Sequence, residues 1–360
     1  MAKNISDIDK NLKITTITEN NIKFYSANER PFKVYGLMYD EKLGRFLRMP
    51  NDIAKNVNPG VEILNTNTSG GRIRFKTNSE YVAIKVISNT TGFMPHMALS
   101  GSSGFDLYTK DNNGYTYFAT FMPSFSFDDF TNNHGYESII HFSDRKMRDL
   151  TINFPLYNEV LNLYIGLEDN AALERGEPYK TEKPVVFYGS SITQGGCASR
   201  PGNAYANILS RKYDFDFINL GFSGSGMGEP AIAEYIAELD MSAFIYDYDY
   251  NAPNAEHLKK THKPMFDTIR KAHPNIPIII MSMPKLSLSE SCIHRKEIIK
   301  ETYDIAKSGG DKNVYFIPGD EIFKIFGNDS CTVDGCHPND LGFMCMAEAV
   351  SEIFDTVFER

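Results

Sequence analysis

Two hydrophobic periods divide this chain. From about residue 20 to residue 168, apolar positions mostly recur every second residue between turn-forming clusters. GRIRF (71–75), YVAIKVI (81–87) and the run Leu161, Leu163, Ile165, Leu167 all alternate in this way, as strands buried on one face must. The clusters SGG (69–71) and DNNG (111–114) fall between such runs and supply residues suited to tight turns. An antiparallel β-sandwich or jelly roll is the expected closure.

After residue 180 the pattern changes to short, continuous apolar runs: PVVFY (184–188), FDFINL (215–220), AFIYDY (243–248), IPIIIM (276–281) and NVYFI (313–317). Helix-like stretches begin near Asn203, Pro230, Glu256 and Ser289, and a last helix follows Asn339. Five strands alternating with helices predict an α/β fold, a five-stranded parallel sheet flanked by helices. Ligands of such sheets bind beyond the carboxyl ends of the strands. The segment LEDNAALERGEPYKTEK (167–183) is charged, lacks apolar periodicity and reads as a linker. The expected organisation is a sandwich domain over 1–175 followed by an α/β domain over 176–360. A chain of 360 residues suits two domains at about 150 residues each.

Composition narrows the function classes. Hydrophobic residues at 42% and charged residues at 23% lie in the globular range, which argues against a disordered chain or a coiled coil. The formal net charge of −9 works against binding to nucleic acid or anionic lipid. MAKNISDIDKNLKITT lacks the apolar run of a signal peptide, and no stretch approaches about 18 consecutive apolar residues. A soluble, cytoplasmic protein with no membrane partner is therefore expected. The five cysteines (Cys197, Cys292, Cys331, Cys336, Cys345) cannot all pair internally. They form no CxxC and no zinc pattern with the histidines, so free buried thiols are expected, with a Cys331–Cys336 pair as the alternative.

Candidate chemistry sits at the two ends of the α/β half. GSSITQGG (189–196) follows PVVFY directly and places Ser190 and Ser191 at the carboxyl end of a strand. A serine there can face the crevice, and the backbone N–H after it can help to hold an oxyanion. Read alone, it is equally a glycine-rich strand-to-helix turn. VDGCHPNDLGF places Asp334 three residues before His337, ahead of the last helix. A carboxylate so spaced can accept from one ring nitrogen and leave the other facing a serine. The two features together point to a nucleophilic serine with His337 as its base and Asp334 orienting that base.

These motifs resemble the SGNH (GDSL-type) hydrolases in four blocks across residues 184–350. YGSSITQG resembles the first, and the resemblance puts Ser191 in the nucleophile position and Ser190 where the family has aspartate. NLGFSGSG resembles the second and implies that the Gly224 N–H serves the oxyanion hole with that of Ser191. YDYDYNAPN resembles the third without its GxND form. Asn251 best matches the oxyanion-hole asparagine, and Asn254 is the weaker substitute. DGCHP matches the fourth. In the first half, GSSGFDLY (101–108) and NFPLYNEV resemble the β-sandwich that precedes the catalytic domain in a subgroup of two-domain SGNH proteins, some of which act on acylated sugars. Asp106 and Tyr108 are read there as structural, closing a turn and packing in the sandwich. The resemblance implies a cofactor-free esterase for a small acyl ester, acetyl on a carbohydrate or glycoside first of all. An acyltransferase or thioesterase would use the same residues. A carbohydrate-binding protein with an inactive hydrolase domain is the reading from another class.

Overall fold

The computed structural model describes residues 16–123, 135–286 and 289–358, so nearly all of the amino-terminal stretch MAKNISDIDKNLKITT lies outside them. The apolar runs of the second half form one parallel sheet. In space its strands run Phe215–Gly221, Thr181–Gly189, Ala243–Asp247, Ile278–Met281, Val314–Ile317. Side chains alternate across the pleat, and both faces are apolar because both are covered. Val185, Phe187, Ile245 and Ile279 pack under helices Tyr205–Tyr213 and Asp340–Val357. Val186, Tyr188, Phe244, Tyr246 and Ile280 face helices Pro230–Glu238, Ala255–Ala272 and Glu290–Ser308.

Among the described residues the first half forms a separate two-stranded pair, Met38–Asp40 and Arg45–Leu47, and two larger antiparallel sheets around a shared core. One pairs Ile22–Ser26, Asn162–Glu168, Tyr81–Ile87 and Gly135–His141. The other pairs Leu173–Arg175, Arg72–Thr77, Arg148–Asn153, Phe105–Asp111 and Gly114–Phe121, with Lys33–Tyr35 also against Arg72–Thr77. The alternating residues seen in the sequence, Ile73 and Phe75, Val82 and Ile84, Leu163 and Ile165, all enter that core.

Two local expectations change at the junction of the halves. The segment read as a linker is anchored: Leu173–Arg175 extends a sheet and Tyr179 is buried against the Arg74 guanidinium, 4.4 Å from its ring centroid. Glu174 and Arg175 lie on this short edge strand, which has one exposed flank, and so carry no apolar period. Asp106 of GFDLY does more than close a turn. Fully buried, it accepts from Asn153 Nδ2 (2.7 Å), from the Gly202 N–H (2.8 Å) and from Arg200 Nη1 (3.0 Å). Tyr108 is hydrogen-bonded to Arg200 as well. The motif therefore locks the sandwich to the loop ahead of helix Tyr205–Tyr213. Lys110 and Tyr115 grip Asp214 at 2.7 and 2.6 Å, and Arg72 pairs with Asp216.

Removing one partner of a buried charge pair leaves the other desolvated and unpaired. Asp106→Ala should therefore cost about 2 to 4 kcal/mol of stability in urea unfolding. A loss below about 0.5 kcal/mol, the range of a neutral surface change, would show that Asp106 is no part of the lock.

Candidate active site

The strand Thr181–Gly189 runs straight into a one-turn helix, Ser191–Gln194, at the carboxyl edge of the sheet. Gly189 permits that turn, because a Cβ there would strike the Asp247 carboxylate and the Thr193 side chain. Ser190 caps the helix: its hydroxyl accepts from the Ile192 N–H at 3.2 Å, and its side chain is wholly buried. Ser191 Oγ instead lies 2.9 Å from His337 Nε2. The Ser191 N–H is at the first position of the helix, where no intrahelical acceptor exists for it.

His337 is presented by a tight turn. Asp334 Oδ1 accepts the backbone N–H groups of Cys336 (3.0 Å) and His337 (2.7 Å), and Gly335 takes the positive φ of 81° that the turn requires. Asp334 Oδ2 is 2.7 Å from His337 Nδ1. Burial raises the Asp334 carboxyl, but the hydrogen bonds from the imidazole and from both backbone N–H groups outweigh it and hold the group down at about 2. At neutral pH Asp334 is ionised and can only accept. Nδ1 must then carry the proton, and in the neutral imidazole Nε2 is left to accept from the Ser191 hydroxyl. This serine–imidazole–carboxylate chain has the geometry for activating a hydroxyl as a nucleophile.

Gly224 and Asn251 are brought together beside this site, with a difference from expectation. The Gly224 N–H donates to Asn251 Oδ1 at 3.0 Å, while Asn251 Nδ2 donates to the carbonyls of Phe222 (2.8 Å) and Gly226 (2.9 Å). The amide expected to face an oxyanion thus has both hydrogens committed to the loop that carries Gly224. Asn254, the weaker substitute, caps helix Ala255–Ala272 by accepting from the His257 N–H at 2.8 Å. All five cysteines are free, so Cys331 and Cys336 are unpaired, and only Cys197 and Cys331 are buried. No helix among the described residues is long and apolar enough to cross a membrane. An apolar cavity of about 530 Å³ between the last strand and the last helix, lined by Ile317, Ile322, Leu341 and Met344, holds none of the Ser191 machinery.

Comparison with known proteins agrees with this architecture. The profile of the GDSL-like lipase/acylhydrolase family matches residues 182–355. That of the N-terminal domain of SGNH-hydrolase-type esterases, named for its GxDLY motif, matches residues 22–173. A Bacteroides ovatus protein assigned as a GDSL-like lipase superposes with a TM-score of 0.82 at 30% identity, over 94% of this chain and 98% of that one. The chain belongs to the GDSL-like hydrolase family. More distant structures share the fold. The salicylyl-acyltransferase SsfX3 of a tetracycline biosynthetic pathway has a TM-score of 0.75 at 18% identity, over 94% and 98% of the two chains. A family two carbohydrate esterase from Clostridium thermocellum, solved with cellohexaose, has a TM-score of 0.60 at 14% identity, over 90% and 98%. No match was found among curated protein sequences.

The structure of this GDSL-family hydrolase also shows residues at the site that sequence reasoning missed. Tyr157 of the sandwich donates to the Ser191 carbonyl at 3.1 Å, and Ser69 donates to the Gln194 carbonyl at 2.6 Å. Gln194 in turn binds Asn67 Oδ1 and accepts from the Ser223 N–H. The His96 ring lies 5.8 Å from that of His337. Tyr157 stood within NFPLYNEV, but nothing in that motif pointed at a serine on the other half. Asp247 lies behind the nucleophile turn, bonded to the hydroxyls of Thr193 and Tyr205. Its signal was a lone acid in an apolar strand.

Burial raises the Asp247 carboxyl to about 7, against the lowering effect of Thr193 and Tyr205. An unfolded aspartate titrates near 3.9, so from about pH 4 to about pH 7 the unfolded chain has ionised this group while the folded chain has not. Its contribution to stability is thus full below about pH 4 and lost as pH rises to about 7. The melting temperature of Asp247→Asn, measured relative to the parent, should climb from pH 4 to pH 7. A difference that stays constant across that window would refute the assignment.

Proposed function

We propose that the chain is a serine esterase that hydrolyses a small, soluble acyl ester through Ser191, His337 and Asp334. The preferred substrate is an acetyl group on a carbohydrate or glycoside. The observation that carries this reading is the unbroken hydrogen-bonded chain from Ser191 Oγ (2.9 Å) through the imidazole to Asp334 (2.7 Å). That intact chain also speaks against a binding protein with an inactive hydrolase domain. His337 takes the Ser191 proton as the hydroxyl attacks the ester carbonyl and returns it to the leaving alcohol. Asp334, ionised throughout, keeps the imidazole in the required tautomer and stabilises its charged form. Water then attacks the acyl-enzyme by the same route in reverse.

The oxyanion falls to the free Ser191 N–H, joined by Gly224 once its N–H turns from Asn251; each donor of this kind is worth about 3 kcal/mol of barrier. Asn251 supports the hole through the loop it holds, and its own amide joins only if the Phe222 and Gly226 carbonyls release it. No metal or cofactor takes part in these steps. The functional units are residues 1–175 and 176–360, the first bracing the nucleophile turn through Tyr157 and Ser69. The net charge of −9 suits neither nucleic acid nor anionic lipid as a partner. The free thiols suit a reducing compartment such as the cytoplasm. Carbohydrate as the alcohol is supported by the shared fold of the Clostridium thermocellum esterase. An acyltransferase is the second reading, favoured by the higher TM-score of 0.75 to SsfX3. The two share the acyl-enzyme and differ in what attacks it.

Turnover of p-nitrophenyl acetate and of acetylated sugars and acyl thioesters, with Ser191→Ala as control, tests the reading and ranks the substrates. Ser191→Ala should lose at least about a thousandfold, while Ser190→Ala, which removes only a helix cap, keeps a substantial fraction. An organophosphonate adduct should map to Ser191 by mass spectrometry. An adduct on Ser190, with Ser191→Ala still active, would overturn the assignment.

A further inference from the structure

His96, Cys197 and His337 converge from three separate segments. One sits in a sandwich loop, one follows the nucleophile helix and one lies in the turn before the last helix. A ligand atom from each can be chosen so that all lie within 4.8 Å of one another. A tetrahedral zinc shell, with Zn–N about 2.0 Å and Zn–S about 2.3 Å, sets its ligand atoms roughly 3.3 to 3.6 Å apart. The remaining gap is about 1 Å. His96 is exposed, so rotation of its side chain can shorten its own distances to the other two ligands.

Three further features fit a metal. Cys197, 7% exposed, has φ of 75°, a left-handed backbone that costs a residue with a Cβ about 1 kcal/mol and is kept only where its surroundings impose it. His337 Nδ1 is held by the Asp334 carboxylate at 2.7 Å, the carboxylate–histidine arrangement that orients imidazole ligands toward zinc through Nε2. The donor set of two imidazoles and one thiolate is one that zinc takes in preference to magnesium or calcium.

We propose that His96, Cys197 and His337 form a site for a thiophilic divalent cation, zinc above all, and that a bound ion switches the Ser191 centre off. The switch rests on the esterase reading, while the metal site itself does not. His337 Nε2 is the nitrogen that Ser191 Oγ faces at 2.9 Å, and a lone pair given to zinc cannot also accept the serine proton. On binding, the hydrated ion sheds water ligands as the Zn–S bond and two Zn–N bonds form, Cys197 Sγ gives its proton to water, and the Ser191–His337 hydrogen bond breaks. Water or Ser191 Oγ fills the fourth position. Zinc therefore competes with catalysis at this site, and a chelator restores turnover.

Two measurements on the reduced, full-length protein test this. In the first, Co²⁺ stands in for zinc. The parent should develop a near-ultraviolet thiolate-to-metal charge-transfer band and the intense visible bands of tetrahedral Co²⁺, and Zn²⁺ should bleach them. Cys197→Ser and His96→Ala should lose these features, while Ser191→Ala and Cys336→Ala keep them. In the second, Zn²⁺ should inhibit p-nitrophenyl acetate hydrolysis reversibly, with recovery in EDTA. His96→Ala, measured against its own zinc-free turnover, should need at least about tenfold more zinc for the same fractional inhibition. Absence of the charge-transfer band in the parent, or its loss in Cys336→Ala with retention in Cys197→Ser, would overturn the site. Stimulation by zinc, or equal sensitivity in His96→Ala, would overturn the switch. If Cys197→Ser fails to fold, the surface variant His96→Ala decides both points. A protein that binds Co²⁺ through these residues yet turns over no ester would sink the esterase reading alone.

Discussion

One hydrogen bond joins residues 146 positions apart: Ser191 Oγ to His337 Nε2, at 2.9 Å. The proposed chemistry depends on that distance, yet the bond is too weak to impose it, since such a contact contributes about 1 kcal/mol net. Packing does the positioning. Helix Asp340–Val357, which begins just after His337, buries Phe343, Met346, Val350 and Phe354 against the sheet face that also carries Phe187 and Ile245. At about 2 kcal/mol for each large apolar side chain, that contact far exceeds the relay. The serine is fixed from the same sheet, because Gly189 ends the strand between those of Phe215–Gly221 and Ala243–Asp247.

The sandwich is a working part of this arrangement. Its contact with the α/β half joins apolar packing by Met49, Val61 and Leu156 to a set of ion pairs and hydrogen bonds: Asp106 with Arg200, Arg72 with Asp216, Lys110 and Tyr115 with Asp214. Burying such pairs gains little net stability over apolar packing, because desolvation offsets attraction. What it adds is register, since each pair is satisfied in one relative placement of the halves. That placement delivers Tyr157 to the Ser191 carbonyl and Ser69 to that of Gln194. The helix turn bearing the nucleophile is thereby bonded through its backbone carbonyls to the sandwich, so its orientation does not rely on His337 alone.

Beside the serine, the loop 222–226 is held shut by Asn251 through three hydrogen bonds, one accepted and two donated. Donors already committed to protein acceptors gain less from a developing oxyanion than free ones, because an existing bond must be exchanged. Among the described residues the Ser191 N–H, at the first turn of its helix, has no such competitor. The donors therefore differ in readiness although they stand in one small region. The same crowding of polar groups around His337, with Asp334 on Nδ1 and His96 and Cys197 close to the ring, is what makes a proton-transfer site attractive to a soft cation.

Much of this was legible in the chain. Period-two alternation identified the strands at Arg72–Thr77, Tyr81–Ile87 and Asn162–Glu168, and the continuous runs identified all five parallel strands, because burial on one face or on two writes directly into apolar spacing. Ser191, Asp334 and His337 stood out since each lies in a short local pattern, at a strand end or within one turn. What stayed hidden was whatever depends on pairing between distant segments. The edge strand Leu173–Arg175 reads as linker, Asp106 reads as a local turn residue, and Cys197 reads as one of five scattered thiols, with nothing in the chain to join it to His96. Asn251 shows the division most clearly. Sequence placed it after the right strand, but only the tertiary structure decided that its two amide hydrogens go to Phe222 and Gly226, because a hydrogen bond is settled by which acceptor lies nearest in space.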